Sequence, residues 1–309
     1  MDKTNTIENL RHTIDEMSII MYNIYVEWKV SQRGPLTESE HMAENMYRMM
    51  IFKAKSIGLM SQGVVIVPTQ KGIIPDPSTM YPVLRSMYEL LFLFKSIFAS
   101  SKNDVERELL LKVWQIRGNN NLIQIPNEEL DEESLKKKKS IKEGNKTLRT
   151  EIRELMDKLH LSASIRDDIE RCINNTSPSL KGFMFEHCEH CDTISKFRDL
   201  NFSDSTMGLD LSFASYIYSH YSAHSHPSYL GLKHFEEMYP NKEEDNYVKE
   251  ILGHACKYTE RFIKEFCKYN VSYSPYYEQK SYAINEILSR VQTAMNLSPT
   301  LMLTEESPL

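Results

Sequence analysis

Apolar residues return at Leu10, Ile14, Met17, Met21, Ile24, Tyr25 and Trp28, the three-and-four spacing of one buried helical face, which predicts a helix over about 5–30. Gly34-Pro35 ends it. Thr37-Glu38-Ser39-Glu40 then offers a capping box, with a hydroxyl at the N-cap and a carboxylate three residues on, so a second helix runs to about Met60. Between Gly63 and Ser78, Val64-Val65-Ile66-Val67 allows a short strand, but the surrounding glycines and prolines favour a connection. Ser78 is placed as the cap of a third helix, with Pro82 in its first turn and Leu84, Leu91, Phe92 and Phe94 making it central, to about Ser100.

From 127 to 160 the pattern changes to dense charge around a sparse apolar set that includes Leu135, Ile152 and Leu155. A solvated helix or helical hairpin projecting from the body fits, with Gly144-Asn145 as the break. The Lys136–Lys139 run suggests a nucleic-acid patch, but acidic residues just before it nearly cancel its field, which favours a solvated face. A helix over Ala163–Asn174 and a loop with Pro178 and Gly182 follow; helical periodicity returns at about 206–225, 248–271 and 278–295. The expectation is one all-α helical bundle over 1–296, with 127–160 as a charged insertion and 297–309 as a flexible tail.

Composition supports that class: 10 Gly and 12 Pro stand against 16 Met in a chain rich in good helix formers. The formal net charge is -6, so any site for RNA has to be local. Neither apolar run, around Ser18–Trp28 or Tyr88–Phe98, reaches the roughly 20 residues that cross a bilayer, and the first residues lack a signal-peptide pattern. Five cysteines make an odd, scattered set rather than a disulfide framework. These features imply a cytoplasmic protein with no membrane partner.

Chemistry concentrates in three places. On a helix, four residues turn the chain by about 400°, so Tyr218, Ser222 and His226 share one stripe. Pro227 puts His226 at a helix C-terminus, where the macrodipole favours the imidazolium and suits it to acid–base work or anion binding. The same stripe also fits a purely structural polar network. In the third helix, Tyr81, Arg85, Ser86 and Glu89 stand in an apolar setting, with Arg85 and Glu89 an (i, i+4) pair. Arg85 is either a clamp for phosphate or a substrate carboxylate facing His226, or an internal tie between helices. Ser228 joins the first group as a supporting residue.

Third, His187, Cys188, His190 and Cys191 carry zinc-type donors, yet no second ligand pair follows at a suitable spacing, and reduced surface thiols explain them as well. Gly-rich phosphate loops, nucleophile elbows and zincin or dinucleotide fingerprints are missing from the sequence, so no cofactor is expected.

Arg85-Ser86-Met87-Tyr88-Glu89 and Tyr218-x-x-x-Ser222-x-x-x-His226-Pro227-Ser228 resemble the pattern of a bacterial family known only as domain of unknown function number fifty-six seventy-seven. The likeness covers about 38–100 and 206–235 and implies a helical fold more than a chemistry. A more distant resemblance is to the HEPN (higher eukaryotes and prokaryotes nucleotide-binding) superfamily, helical and often dimeric ribonucleases that use Arg-x(4–6)-His. Here the positions five to seven before His226 are Tyr221, His220 and Ser219, so Arg85 from another helix would have to replace that arginine. The resemblance implies nucleotide or RNA binding or metal-independent RNA cleavage, in a homo-oligomer or with a protein partner. The alternative is a non-catalytic interaction module of phage defence or stress response.

Overall fold

A computed structural model describes residues 3–32, 34–65, 73–175, 182–191, 193–202, 214–226 and 228–296. It is an all-α architecture with ten α-helices and one small two-stranded sheet among the described residues. The helices cluster as two compact units, one built from Met1–Pro35, Glu44–Leu91 and Ser215–Leu309, the other from Leu36–Ala43 and Phe92–Ala214.

The first unit holds α1 (Lys3–Ser31), most of α2 (Glu38–Met60) and of α3 (Pro77–Phe94), then α7 (Ala214–Ser225), α8 (Tyr229–Met238), α9 (Glu244–Tyr269) and α10 (Ser274–Asn296). Six of the seven residues of the predicted α1 stripe, Leu10, Ile14, Met17, Met21, Ile24 and Trp28, are buried, whereas Tyr25 is half-buried with its hydroxyl donating to Glu44 at 2.8 Å; the helix packs against α9 and α10. Trp28 stacks on Tyr273 at 4.6 Å between ring centres, and its indole N–H donates to Ser272 Oγ at 2.9 Å. Tyr273 meets Phe266 edge-on at 4.5 Å, and Tyr47 closes the cluster at 4.5 Å from Phe266. α2 comes close to α1 at Gly58, where an added Cβ would lie 3.2 Å from Ile14.

The second unit is built on α4 (Asp104–Ile123), a helix the sequence reading left unassigned. Asn103 caps it by accepting from the Glu106 N–H at 2.9 Å. α5 (Glu132–Lys158) and α6 (Ala163–Asn174) pack on α4, as does the antiparallel hairpin of β1 (Gly182–His187) and β2 (Ile194–Leu200). Phe183, Phe185, Phe197 and Leu200 bury one part of this hairpin.

Several local expectations hold. The capping box forms reciprocally, Glu40 N–H to Thr37 Oγ1 at 3.2 Å and Thr37 N–H to Glu40 Oε2 at 2.8 Å. α6 has the predicted bounds. Others change. Asp76 rather than Ser78 caps α3, its carboxylate accepting the Ser78 N–H at 3.1 Å, so Pro82 falls in the second turn, where it has no N–H to donate. Among the described residues near Gly63, Val64 bridges Ile74, while Ile66 and Val67 lie outside the described residues, as do Pro178, Pro227 and the tail 297–309. Gly144-Asn145 does not break α5, because the Asn145 amide is buried and satisfied by Asn119 at 2.8 Å and Asn120 at 3.4 Å. Nor does α5 stand free: Ile152, Leu155 and Met156 are buried, and Glu151 pairs with Lys112 of α4 at 2.7 Å.

Truncating Trp28 tests this packing. Trp28→Ala is expected to cost about 3–5 kcal/mol, read as a lower urea midpoint in equilibrium unfolding.

Candidate functional site

The first unit brings the two predicted motifs together. α7 lies along α3 with Tyr221 buried at its centre and a polar line on either side. On one side Arg85 is the hub. Its Nε donates to Glu89 Oε1 at 2.9 Å, Nη2 to the Tyr218 hydroxyl at 2.8 Å, and Nη1 to His226 Nε2 at 2.9 Å and Ser222 Oγ at 3.4 Å. The guanidinium also sits 5.0 Å from the centre of the Tyr218 ring. The Tyr218 hydroxyl in turn donates to Glu89 Oε1 at 3.2 Å.

The Arg85 and Glu89 side chains are only 21% and 24% exposed. Burial works against the Arg85 charge, but the bond and charge of Glu89 outweigh it and raise the guanidinium's pKa. Burial and then Glu89 raise the Tyr218 hydroxyl. An arginine can only donate, so the contact uses His226 Nε2 as an acceptor and leaves the ring proton on Nδ1.

Lys53 of α2 is a second cation that sequence reasoning missed. Its Nζ donates to Ser86 Oγ at 2.5 Å, and burial lowers its pKa, with Glu89 opposing. No local pattern marks it, because its position depends on how α2 meets α3.

On the other side of Tyr221, Tyr81 belongs to a histidine cluster rather than to Arg85. Its hydroxyl is 3.3 Å from His220 Nε2, and its ring stacks on His224 at 4.4 Å. His234 of α8 reaches His224 Nε2 through Nδ1 at 3.0 Å. Burial first, and the neighbouring histidines second, lower both His220 and His224 to about 4. The (i, i+4) spacing of His220 and His224 was a visible signal; His234, on another helix, had none.

Ser228 also lies apart from Arg85. It caps α8 by accepting the Gly231 N–H at 3.0 Å and donates to the Ala223 carbonyl at 2.7 Å, joining the end of α7 to the start of α8. Gly231 permits this joint, since a Cβ there would lie 2.5 Å from the same carbonyl.

Beneath α7, the Tyr221 hydroxyl meets His254 Nδ1 at 2.6 Å and Tyr258 at 2.9 Å, with Glu250 4.0 Å from His254. Burial lowers His254 to about 3 and raises the Glu250 carboxyl to about 7.

Among the described residues, Cys188 and Cys191 come together but no third predicted ligand of the hairpin joins them. His187 Nε2 turns to the buried Glu106 at 3.1 Å, while Cys191 Sγ is exposed and bonds Thr193 Oγ1 at 3.1 Å. Bonds from Thr193 and then Cys188 lower the Cys191 thiol. Among the described residues, the cluster with metal-ligand spacing is His220, His224 and His234.

No family model, curated protein or solved structure matches the chain. Among the described residues, no helix is long and apolar enough to cross a membrane.

The buried carboxyl gives a pH prediction. Below its ordinary value of 4.5, Glu250 is protonated in both states and has no effect. As pH rises toward about 7, the unfolded chain releases a proton that the folded chain retains, and the fold loses up to about 3 kcal/mol. Glu250→Gln should therefore raise Tm at pH 8 and leave it unchanged near pH 4 in calorimetric scans.

Proposed function

We propose that the chain is a HEPN-like helical protein that binds the phosphate of a nucleotide or RNA strand at Arg85, with His226 as the proton-transfer group of metal-independent RNA cleavage. The observation behind this reading is the 2.9 Å approach of Arg85 Nη1 to an exposed imidazole whose Nε2 is an acceptor. Guanidinium and phosphate match as bidentate partners. An entering phosphate displaces His226 from Arg85 and frees Nε2 to take the proton of a ribose 2′-hydroxyl. The 2′-oxygen attacks phosphorus, the 5′-oxygen departs with a proton returned by the imidazolium, and the products are a cyclic 2′,3′-phosphate and a 5′-hydroxyl. Arg85, helped by Lys53, offsets the charge that gathers on the phosphoryl oxygens. Glu89 and Tyr218 hold the guanidinium, and Ser222 accepts from it.

A second reading is a non-catalytic interaction module in phage defence or stress response, binding another protein or a second copy. It draws support from one fact: every nitrogen of Arg85 already has a partner within the molecule.

Purified protein incubated with total RNA in EDTA separates the two. On the first reading, His226→Ala and Arg85→Ala each lower the cleavage rate roughly 100-fold or more, while His226→Ala keeps its Tm. Equal products from wild type and both variants, or none from any, leave the second reading. Arg85→Ala then shows only lost stability, about 1–3 kcal/mol, from stranding Glu89.

A further inference from the structure

We infer that His220, His224 and His234 form a binding site for a first-row divalent cation, with zinc the best match. One ligand nitrogen from each of the three lies within 4.8 Å of the other two. Tetrahedral coordination with Zn–N of about 2.0–2.1 Å places ligand nitrogens about 3.3 Å apart. His224 and His234 are already at 3.0 Å, and His220 has at most about 1.5 Å to close, a movement within reach of side-chain torsions. An all-imidazole donor set suits zinc, copper or nickel and disfavours magnesium and calcium.

The scaffold around these rings is built rather than incidental. His220 and His224 are one turn apart on α7 and so present to the same side. The Tyr81 ring lies flat against His224, at an interplanar angle of 19°, and meets His220 edge-on at 80°, so one side chain fixes both imidazole planes. Its hydroxyl, 3.3 Å from His220 Nε2, stands where an outer-shell partner of the ion belongs. Gly231 and Ser228 bring α8 tightly onto the end of α7, and this close approach is what carries His234 to its stacked position 5.0 Å from the His224 ring.

Three protein ligands leave the fourth tetrahedral position to water or an incoming ligand. The ion ties α7 to α8 across their joint, and its affinity appears directly as folded-state stability. None of this rests on the phosphate reading of Arg85.

The test uses the full chain without a polyhistidine tag, stripped with EDTA and desalted, in calorimetric titration with zinc alone. One ion per chain is expected, with His224→Ala and His234→Ala each weakening binding more than about 1,000-fold, beyond the roughly 10–100-fold that losing an outer-shell partner costs. Cys188→Ser with Cys191→Ser binds as wild type. Zinc raises the Tm of wild type and not of His234→Ala. Should the histidine variants fail to fold, cobalt added to the unaltered chain decides: tetrahedral visible bands without thiolate charge transfer support the site. Thiolate bands, no saturable binding, or binding lost only in the cysteine variant overturn it.

Discussion

A guanidinium carries five donors and no acceptor, and Arg85 holds that group mostly out of water. Everything facing it must therefore offer a lone pair. Glu89 supplies one from the next turn of α3; the Tyr218 and Ser222 side chains of α7, and His226 just past its end, supply the rest. This requirement sets the register of α7 along α3, because a slip of one residue would rotate all three acceptors away by about 100° and strand the charge. The same register places His220 and His224 beside Tyr81, one turn before Arg85. The Arg85 cluster and the histidine cluster are thus two consequences of one helix contact.

Beneath that contact lies a second polar layer with the opposite electrostatic character. Arg85 and Glu89 keep their charges in partial contact with water, whereas the Tyr221, His254 and Tyr258 network is satisfied while its imidazole stays neutral. Glu250 beside it is left with little to offset burial, so its carboxyl holds a proton into the neutral range. α7 is therefore pinned by hydrogen bonds on its buried face and by an ion-pair network on its flank.

Much of the fold could be read from spacing. The stripe of α1, the Thr37–Glu40 box and the bounds of α6 are local signals with local causes. α4 escaped because Glu106, Lys112, Arg117 and Asn120 are buried among its leucines, which blurs the two-faced pattern that marks a helix. The hairpin escaped because its strands are short and its charged and thiol residues suggested ligands instead. Arg85 and His226 were legible as chemically unusual residues in apolar or helix-end settings. Lys53, His234 and His254 were not, since what distinguishes each is a neighbour far away in the chain.

The packing of α1 on α9 has a consequence for how the molecule is made. Roughly 200 residues separate the end of one from the start of the other, so on a ribosome the apolar stripe of α1 emerges long before its native cover exists. High sequence separation slows closure of such a pair and prolongs the exposure. Nascent chains paused before α9 would be natural clients for chaperones.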